Sequence, residues 1–370
     1  MVRVTKVMTV VGTRPEIIRL SAVVKRLDAT VAHVLVHTGQ NYDPLLNEVF
    51  FADLDLRAPD ILMGVRTDSL GQVLGDVLVG TEKAINEVQP DALLVLGDTN
   101  SCIAAVMAKR MRVPVYHMEA GNRCFDENVP EETNRRMVDH VADFNLVYTE
   151  HARRNLLAEG LHPRRVVKTG SPMREVLDSY RDAIAASDVL ARLALKAGGY
   201  FLVSAHREEN VDSPARLGAL LDCLEGVREA YDKPILVSTH PRTRKRLDAL
   251  GRHVEGVVFH DPLGFLDYNH LQTKAACVLS DSGTISEEST ILDFPAVTLR
   301  DSIERPEALD TGSIIMTGLD PSNVLEAVAI AMAQPTREIP EDYRIPNTSE
   351  RVVNFIVSTV KRHRQWSGLR

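Results

Sequence analysis

Short apolar runs alternate with helix-like stretches along the first half of the chain, and this alternation restricts the fold more than any other feature. Each run is continuously apolar, which is typical of strands that are buried on both faces of a sheet. Strands that alternate with helices predict βαβ units and therefore a parallel, doubly wound sheet. The predicted strands of this half are residues 7–11, 31–36, 92–96, 113–118, 144–148 and 166–169.

The same pattern restarts after a polar, alanine-rich stretch, so we predict two Rossmann-like α/β domains that face a cleft. Their expected bounds are 1–170 and 171–348, with a C-terminal helix at 349–362 that packs back onto the first domain. Such folds bind ligands outside the carboxyl ends of their strands. The predicted strands of the second half are residues 200–204, 234–238, 257–259, 277–280, 295–298 and 313–316.

Composition argues against several classes of partner. The 370 residues carry a net charge of −8 without a long basic run, which makes nucleic acid or a membrane surface a poor partner. No apolar stretch reaches the roughly 18–20 residues of a membrane span, and the first residues lack the pattern of a signal peptide. The four cysteines form no CxxC pair, as expected of reduced thiols in a cytoplasmic protein.

Two polar turns are candidates for binding phosphate. Ser282 and Gly283 follow a predicted strand and precede a helix, where backbone N–H groups and the helix dipole favour an anion. Glu288 follows one turn later and can reach sugar hydroxyls, although an ordinary helix cap with first-turn acids is the alternative. Arg14 and Arg19 lie one turn apart after Gly12 and can bind a diphosphate, or they form an exposed surface pair. No GxGxxG motif follows any strand, so a nicotinamide cofactor is not predicted.

Three carboxylates at strand ends or a helix start are candidates for acid–base chemistry: Asp98, Glu119 and Glu131. Asp98 and Glu131 are equally well explained as helix-terminal acids. Glu119 ends an apolar strand, which favours function. His206, after the first strand of the second domain, can move a proton or hold a phosphate, although a strand-end histidine is more often capped or solvent-facing. His240 is a weaker candidate of the same kind. The spacing of a known metal site is missing, so no metal is predicted.

Several of these motifs occur in the order of a known family. They are Gly12-Thr13-Arg14-Pro15-Glu16, Gly97-Asp98-Thr99, Glu119-Ala120-Gly121, Pro130-Glu131-Glu132-Thr133-Asn134-Arg135, His206-Arg207-Glu208, Asp281-Ser282-Gly283 with Glu287-Glu288, and Glu304-Arg305-Pro306-Glu307. Through them the chain resembles the non-hydrolysing UDP-N-acetylglucosamine 2-epimerases over essentially its whole length. The resemblance implies a fold of the glycosyltransferase B type, a homodimer, a UDP-sugar substrate and inversion at C2 without a redox cofactor.

The resemblance also implies a mechanism and a role for each motif. A base removes the C2 proton while UDP leaves C1, and the resulting 2-acetamidoglycal is reprotonated on the opposite face before UDP adds again. Carried over residue by residue, the acid–base group is Asp98, Glu119 and Glu131, with His206 assisting. The resemblance assigns binding of the diphosphate to Arg14, Ser282 and Gly283, and binding of the ribose to Glu288.

Departures from the family pattern bear on the substrate. Arg19 stands where the family often has lysine, and the segment from Gly39 to Asp43 lacks the motif of members regulated by a second UDP-sugar. The loop that contains Asn122 and Arg123 resembles the subgroup that converts UDP-2-acetamido-2,6-dideoxy-L-talose to UDP-N-acetyl-L-fucosamine for capsule or O-antigen synthesis. The alternatives are a UDP-N-acetylglucosamine 2-epimerase, a glycosyltransferase on the same fold, and a UDP-sugar-binding regulator without catalysis.

Overall fold

Contacts divide the chain into two units. The computed structural model describes residues 4–39, 51–239 and 241–369. Unit 1 comprises Met1–Val176 with Ile345–Arg370, and unit 2 comprises Leu177–Arg344. Within the described residues each unit is built on one parallel sheet with helices on its faces, which confirms the predicted two-domain α/β fold.

Unit 1 contains a parallel sheet in the order β3-β2-β1-β4-β5-β6-β7 among the described residues. Its strands are β1 Lys6–Val11, β2 Ala32–His37, β3 Ile61–Leu62, β4 Ala92–Leu96, β5 Val115–Met118, β6 Phe144–Val147 and β7 Val166–Lys168. Its helices are Arg14–Thr30, Leu70–Val88, Ala104–Arg110, Glu131–Val141, Glu150–Ala158, Met173–Ser179, Thr348–Thr359 and His363–Trp366. The helix Met173–Ser179 continues into unit 2.

Unit 2 contains a second parallel sheet in the order β10-β9-β8-β11-β12-β13. Its strands are β8 Phe201–Ser204, β9 Ile235–Ser238, β10 Val257–His260, β11 Cys277–Ser280, β12 Ala296–Thr298 and β13 Ile315–Met316. Its helices are Arg181–Ala185, Val189–Arg192, Glu208–Val211, Pro214–Tyr231, Pro241–Leu250, Phe265–Lys274, Ile285–Leu292, Glu307–Asp310 and Pro321–Ala333.

The central strands explain why the apolar runs are continuous. Met8 of β1 pairs with Val34 on one side and with Leu93 on the other, and its side chain is fully buried. Helices cover both faces of each sheet, so every side chain of a central strand meets a packed surface, and alternation of polar with apolar residues would leave polar groups in the core.

The C-terminal helix Thr348–Thr359 packs within unit 1, against the helix Arg14–Thr30. Arg26 Nε donates to Ser349 Oγ at 3.0 Å, and the hydroxyls of Tyr116 and Thr359 lie 2.7 Å apart. These polar contacts join segments more than 200 residues apart in sequence. The helix Thr348–Thr359 therefore packs against β5, and the ring centroids of Tyr116 and Phe355 lie 6.2 Å apart.

The predicted strands are confirmed to within two residues at each end. The sequence analysis missed β3, because a two-residue strand at the sheet edge leaves no recognisable apolar run. The four cysteines are free and buried. None of the helices in the described part of the chain is long and apolar enough to cross a membrane.

Candidate active site

In unit 1, two of the predicted acid–base residues occupy neighbouring turns at the carboxyl edge of the sheet. Asp98 follows β4 and Glu119 follows β5, and the two strands are hydrogen-bonded neighbours. The Gly97 N–H donates to the Met118 carbonyl at 3.0 Å. A Cβ built on Gly97 would lie 3.5 Å from Oε2 of Glu119, so this carboxylate lies against the turn that carries Asp98.

Glu119 has an unusual backbone conformation. Its φ is 63°, in the left-handed region that residues other than glycine seldom adopt. Such strain persists where the surrounding structure imposes it, and it is concentrated at functional sites. The Glu119 side chain is 7% exposed and pairs with the Arg19 guanidinium of the helix Arg14–Thr30. The structure therefore places Arg19, predicted to bind diphosphate, in an ion pair with Glu119.

The start of that helix is organised by a buried carboxylate. Glu16 Oε2 accepts from the N–H groups of Gly12 and Thr13 at 3.0 and 2.7 Å, and its other oxygen accepts from Ser101. Burial raises the pKa of Glu16, although these hydrogen bonds act in the opposite direction. Arg14, the first residue of the helix, remains partly exposed beside this turn.

Asp98 belongs to an ion-pair network that the sequence analysis did not find. Arg135 donates to Asp98 Oδ2 from Nε at 2.9 Å and from Nη2 at 2.5 Å, and its Nη1 donates to Glu132 at 2.9 Å. Asn134 donates to the Asp98 carbonyl at 2.9 Å. The motif Pro130–Arg135 therefore fixes the turn after β4 through its arginine. The guanidinium donates here from three separate nitrogens, whereas a lysine carries all its donors on one nitrogen and cannot reproduce this geometry.

The two adjacent glutamates of this motif differ in their surroundings. Glu131, the predicted acid–base residue, is half-buried in the first turn of the helix Glu131–Val141. Glu132 is buried, and its Oε2 accepts from both N and Sγ of Cys124 at 3.2 Å. Burial opposes ionisation of Glu132, but the bonds from Cys124 and the charge of Arg135 leave its pKa lowered. Burial, reinforced by Glu132, raises the pKa of the Cys124 thiol to about 11.

Buried contacts within unit 1 hold the loop that is predicted to select the sugar. Asn122 and Arg123 are buried. Arg123 Nη1 donates to Asp139 at 2.7 Å, and its Nε and Nη2 donate to Glu159 at 2.8 and 2.7 Å. The Arg123 side chain is thus occupied by carboxylates of its own unit, and its influence on a sugar would pass through the shape of the loop.

In unit 2, the corner after β11 is built around Asp281, which the sequence analysis quoted within a motif but gave no role. This carboxylate is fully buried. It accepts from the N–H groups of His206 and Arg207 at 3.1 and 3.0 Å and from Nδ2 of Asn210 at 3.1 Å. Asp281 therefore ties the turn after β8 to the turn after β11, which are adjacent parallel strands.

The predicted phosphate-binding residues lie at this corner. Ser282 and Gly283 precede the helix Ile285–Leu292, and the hydroxyls of Ser282 and Thr284 lie 3.0 Å apart. The side chain of His206 is 46% exposed and its Nδ1 lies 3.6 Å from Asp281. Glu288 accepts from Gln272 at 2.6 Å. His240 and residues 40–43 lie outside the described residues.

Arginines surround the same corner. Arg305 Nη1 donates to the Gly283 carbonyl at 2.8 Å and pairs with Glu287 at 2.5 Å. A Cβ built on Gly283 would lie 3.4 Å from Nη2 of Arg207, which donates to Glu304 at 3.4 Å. The sequence signal for these residues was present in two of the quoted motifs, but only the structure shows that they converge. Among the described residues, no group of three or more His, Cys, Asp or Glu side chains is arranged to hold a metal ion.

The two parallel sheets define a fold of the glycosyltransferase B type, and comparison with known proteins agrees. The chain belongs to the UDP-N-acetylglucosamine 2-epimerase family, whose model matches residues 25–357. This result confirms the family resemblance inferred from the motifs.

Three relatives illustrate the match. The structure of a UDP-N-acetylglucosamine 2-epimerase from Rickettsia bellii has a TM-score of 0.91 at 42% identity, covering 98% of each chain. A Methanocaldococcus jannaschii UDP-GlcNAc 2-epimerase, in complex with UDP-GlcNAc and UDP, has a TM-score of 0.90 at 32% identity over 96% of this chain and 100% of its own. A UDP-2,3-diacetamido-2,3-dideoxy-D-glucuronate 2-epimerase of Pseudomonas aeruginosa is 31% identical over 95% of this chain and 99% of its own.

Proposed function

We propose that this chain inverts C2 of a UDP-linked 2-acetamido sugar by eliminating UDP and adding it again to a bound 2-acetamidoglycal. The observation that carries the proposal is the pair of carboxylates at adjoining strand ends, with the strained Glu119 lying against the Gly97–Asp98 turn. Acid–base work at carbon needs groups held in fixed positions and in different surroundings. Here one carboxylate pairs with Arg19 and the other with Arg135.

In this mechanism Asp98, Glu119 and Glu131 form the acid–base group of unit 1. The C2 proton is weakly acidic, so its removal has to be coupled to departure of UDP and to stabilisation of the charge that develops. The Arg19 and Arg135 guanidinium groups orient the carboxylates before the substrate arrives. Such preorganisation lowers the cost of reaching the reactive geometry.

Unit 2 would hold the UDP portion. The helix Ile285–Leu292 begins at the Ser282–Gly283 turn, where its dipole favours a diphosphate. The Arg207 and Arg305 guanidinium groups add positive charge at the same corner. His206, which is half-exposed and whose backbone N–H is held by Asp281, would assist at the diphosphate or at the proton. Glu288 would bind the ribose hydroxyls, and the family resemblance assigns Arg14 to the diphosphate.

For the sugar, we propose UDP-2-acetamido-2,6-dideoxy-L-talose, converted to UDP-N-acetyl-L-fucosamine for capsule or O-antigen synthesis. The support is the sequence Gly121–Asp126, which resembles that subgroup, together with the fixed shape of this loop. Glu132 holds it at Cys124, and Asp139 holds it at Gly121 and Arg123. A rigid loop directly after Glu119 is suited to distinguish a 6-methyl group from a hydroxymethyl group.

The second candidate is the UDP-N-acetylglucosamine to UDP-N-acetylmannosamine reaction, and the names of most relatives favour it. The Pseudomonas aeruginosa relative, by its name, acts on a different UDP-sugar at similar identity. Family membership alone therefore does not select the sugar. We further expect a cytoplasmic homodimer that needs no redox cofactor, since the four cysteines are unpaired and the family resemblance implies the rest.

Incubation with each UDP-sugar in deuterated water, followed by NMR at C2, tests these readings. Deuterium incorporation with only the talose-configured sugar supports the proposed substrate, and incorporation with only UDP-N-acetylglucosamine supports the second candidate. UDP binding without exchange for either sugar would refute both and leave a glycosyltransferase or a regulator. The Asp222→Asn variant, altered at a surface ion pair with Arg252, serves as the matched control.

A further inference from the structure

His117 and Asp139 form a buried ion pair directly beneath the candidate active site of unit 1. His117 lies on β5, two residues before Glu119, and Asp139 lies in the helix Glu131–Val141. His117 Nδ1 is 2.9 Å from Asp139 Oδ1, and both side chains are completely buried. Neither residue belongs to the motifs to which the mechanism assigns a role.

The groups that face the two ring nitrogens determine the protonation of His117. Its Nε2 lies 2.7 Å from the Gly97 carbonyl oxygen, which can only accept, so Nε2 carries a proton. Its Nδ1 faces a carboxylate, and only a second proton makes that contact attractive. Burial by itself would lower the pKa of His117, but Asp139 and the Gly97 carbonyl leave it raised.

The pair joins two turns that carry the proposed acid–base residues. Through Nε2, His117 holds the carbonyl of Gly97, the residue before Asp98. Through Asp139, it is linked to the loop after Glu119, because Asp139 also accepts from the Gly121 N–H at 3.1 Å and from Arg123 at 2.7 Å. Gly121 has a φ of 82°, and a Cβ there would lie 2.4 Å from the Ala152 carbonyl oxygen, so this turn has little room to shift.

We propose that the His117–Asp139 pair is a positioning device that fixes the Asp98 turn relative to Glu119 and the sugar-selecting loop. His117 and Asp139 are positioning residues that do not touch the substrate. The proposal rests on the proposed function, since it assumes that Asp98 and Glu119 act together at C2. A misplacement of about 1 Å in such a site can lower a rate by about 100-fold.

Two substitutions separate the two contacts of His117. His117→Gln keeps a donor near the Gly97 carbonyl but loses the charged contact with Asp139, whereas His117→Asn keeps a donor near Asp139 but does not reach Gly97. We expect each variant to lower kcat for C2 exchange by about 10- to 100-fold while KM stays within about twofold. Asp139→Asn should behave likewise, and combining it with His117→Gln should cost less than the product of the two single effects.

The wild-type protein is assayed first. If none of the UDP-sugars takes up deuterium at C2, the proposed function fails. If one of them does, but folded His117 variants keep the wild-type kcat, only the positioning role fails. Strictly multiplicative effects in the double variant would also overturn it, as would losses of activity that a smaller folded fraction accounts for in full. Should the His117 variants not fold, a crystal structure of the wild-type protein decides: Nε2 within hydrogen-bond distance of the Gly97 oxygen supports the device, and a separation beyond about 3.5 Å overturns it.

Discussion

Replacing Asp281 by asparagine should weaken UDP binding strongly while leaving unit 2 folded. The buried carboxylate of Asp281 accepts from the N–H groups of His206 and Arg207 and from Asn210. An amide keeps one acceptor oxygen but turns an NH₂ group toward at least one of these donors. A hydrogen bond to a charged group contributes about 1.5–3 kcal/mol, so the turn after β8 should lose roughly that much stabilisation.

If UDP needs this turn in its present position, the free energy of UDP binding becomes less favourable by the same amount. At about 1.4 kcal/mol per tenfold change, UDP affinity should fall by about 10- to 100-fold. Isothermal titration calorimetry with UDP measures the affinity, and thermal unfolding reports the stability. Asp222→Asn, at the exposed pair with Arg252, should change either quantity by less than about 1 kcal/mol.

The result that refutes this reasoning is specific. UDP affinity within about twofold of the wild type, in a variant that is clearly destabilised, would show that Asp281 supports the fold without ordering the UDP site. An equal loss of affinity in Asp222→Asn would show that the assay responds to charge in general. A loss of affinity that accompanies a comparable loss of stability, in a variant that remains folded, would support the proposed role.

Three further predictions concern unit 1. Glu119→Gln should abolish C2 deuterium exchange while UDP affinity, measured by calorimetry, stays nearly unchanged. Arg135→Lys should lower the exchange rate about 100-fold, because a single ammonium nitrogen cannot reproduce the contacts that three guanidinium nitrogens make with Asp98 and Glu132. His37→Asn should reduce the loss of folding stability in acid. Burial lowers the pKa of His37 from 6.5 to about 4. As pH falls, this residue is therefore protonated in the unfolded chain before it is protonated in the folded chain. The free energy of unfolding of the wild-type protein therefore falls by about 3 kcal/mol, through this group, as pH drops from 6.5 to about 4. Denaturant titrations across that pH range measure this loss.

Each of these has an outcome that contradicts it. A large loss of UDP affinity in Glu119→Gln would mean that Glu119 binds the nucleotide. Wild-type exchange in Arg135→Lys would mean that the forked guanidinium is dispensable. For His37, the asparagine can still accept from the Gly39 N–H as Nδ1 does, so an unchanged pH dependence would show that the imidazole is not kept neutral by its surroundings.

The sequence by itself determined the architecture and the family. Continuous apolar runs specify strands that are covered on both faces, and the helices between them leave a parallel sheet as the arrangement that buries those runs. The polar turns were placed correctly at strand ends, because a turn that leaves a buried sheet has to expose its backbone groups or bind them. The order of the motifs then identified the family over the whole chain.

Only the tertiary structure decided which of these polar residues are partners. Arg135 meets Asp98, Arg19 meets Glu119, and Asp281 meets the backbone of His206, across 37, 100 and 75 residues of sequence. Periodicity reports the face on which a side chain lies, but it carries no information about what another strand brings to that face. Hydrogen bonds act over about 3 Å, so such partners are set by strand order and register.

The adjacent residues Glu131 and Glu132 show the same limit at short range. The local pattern does not distinguish them, since both are acids in the first turn of one helix, and the sequence analysis gave a role to Glu131 alone. In the folded unit, the helical step between them turns Glu132 inward onto Cys124 and Arg135 and leaves Glu131 half-buried. Their difference arises from packing against the rest of unit 1, which no local pattern in the sequence records.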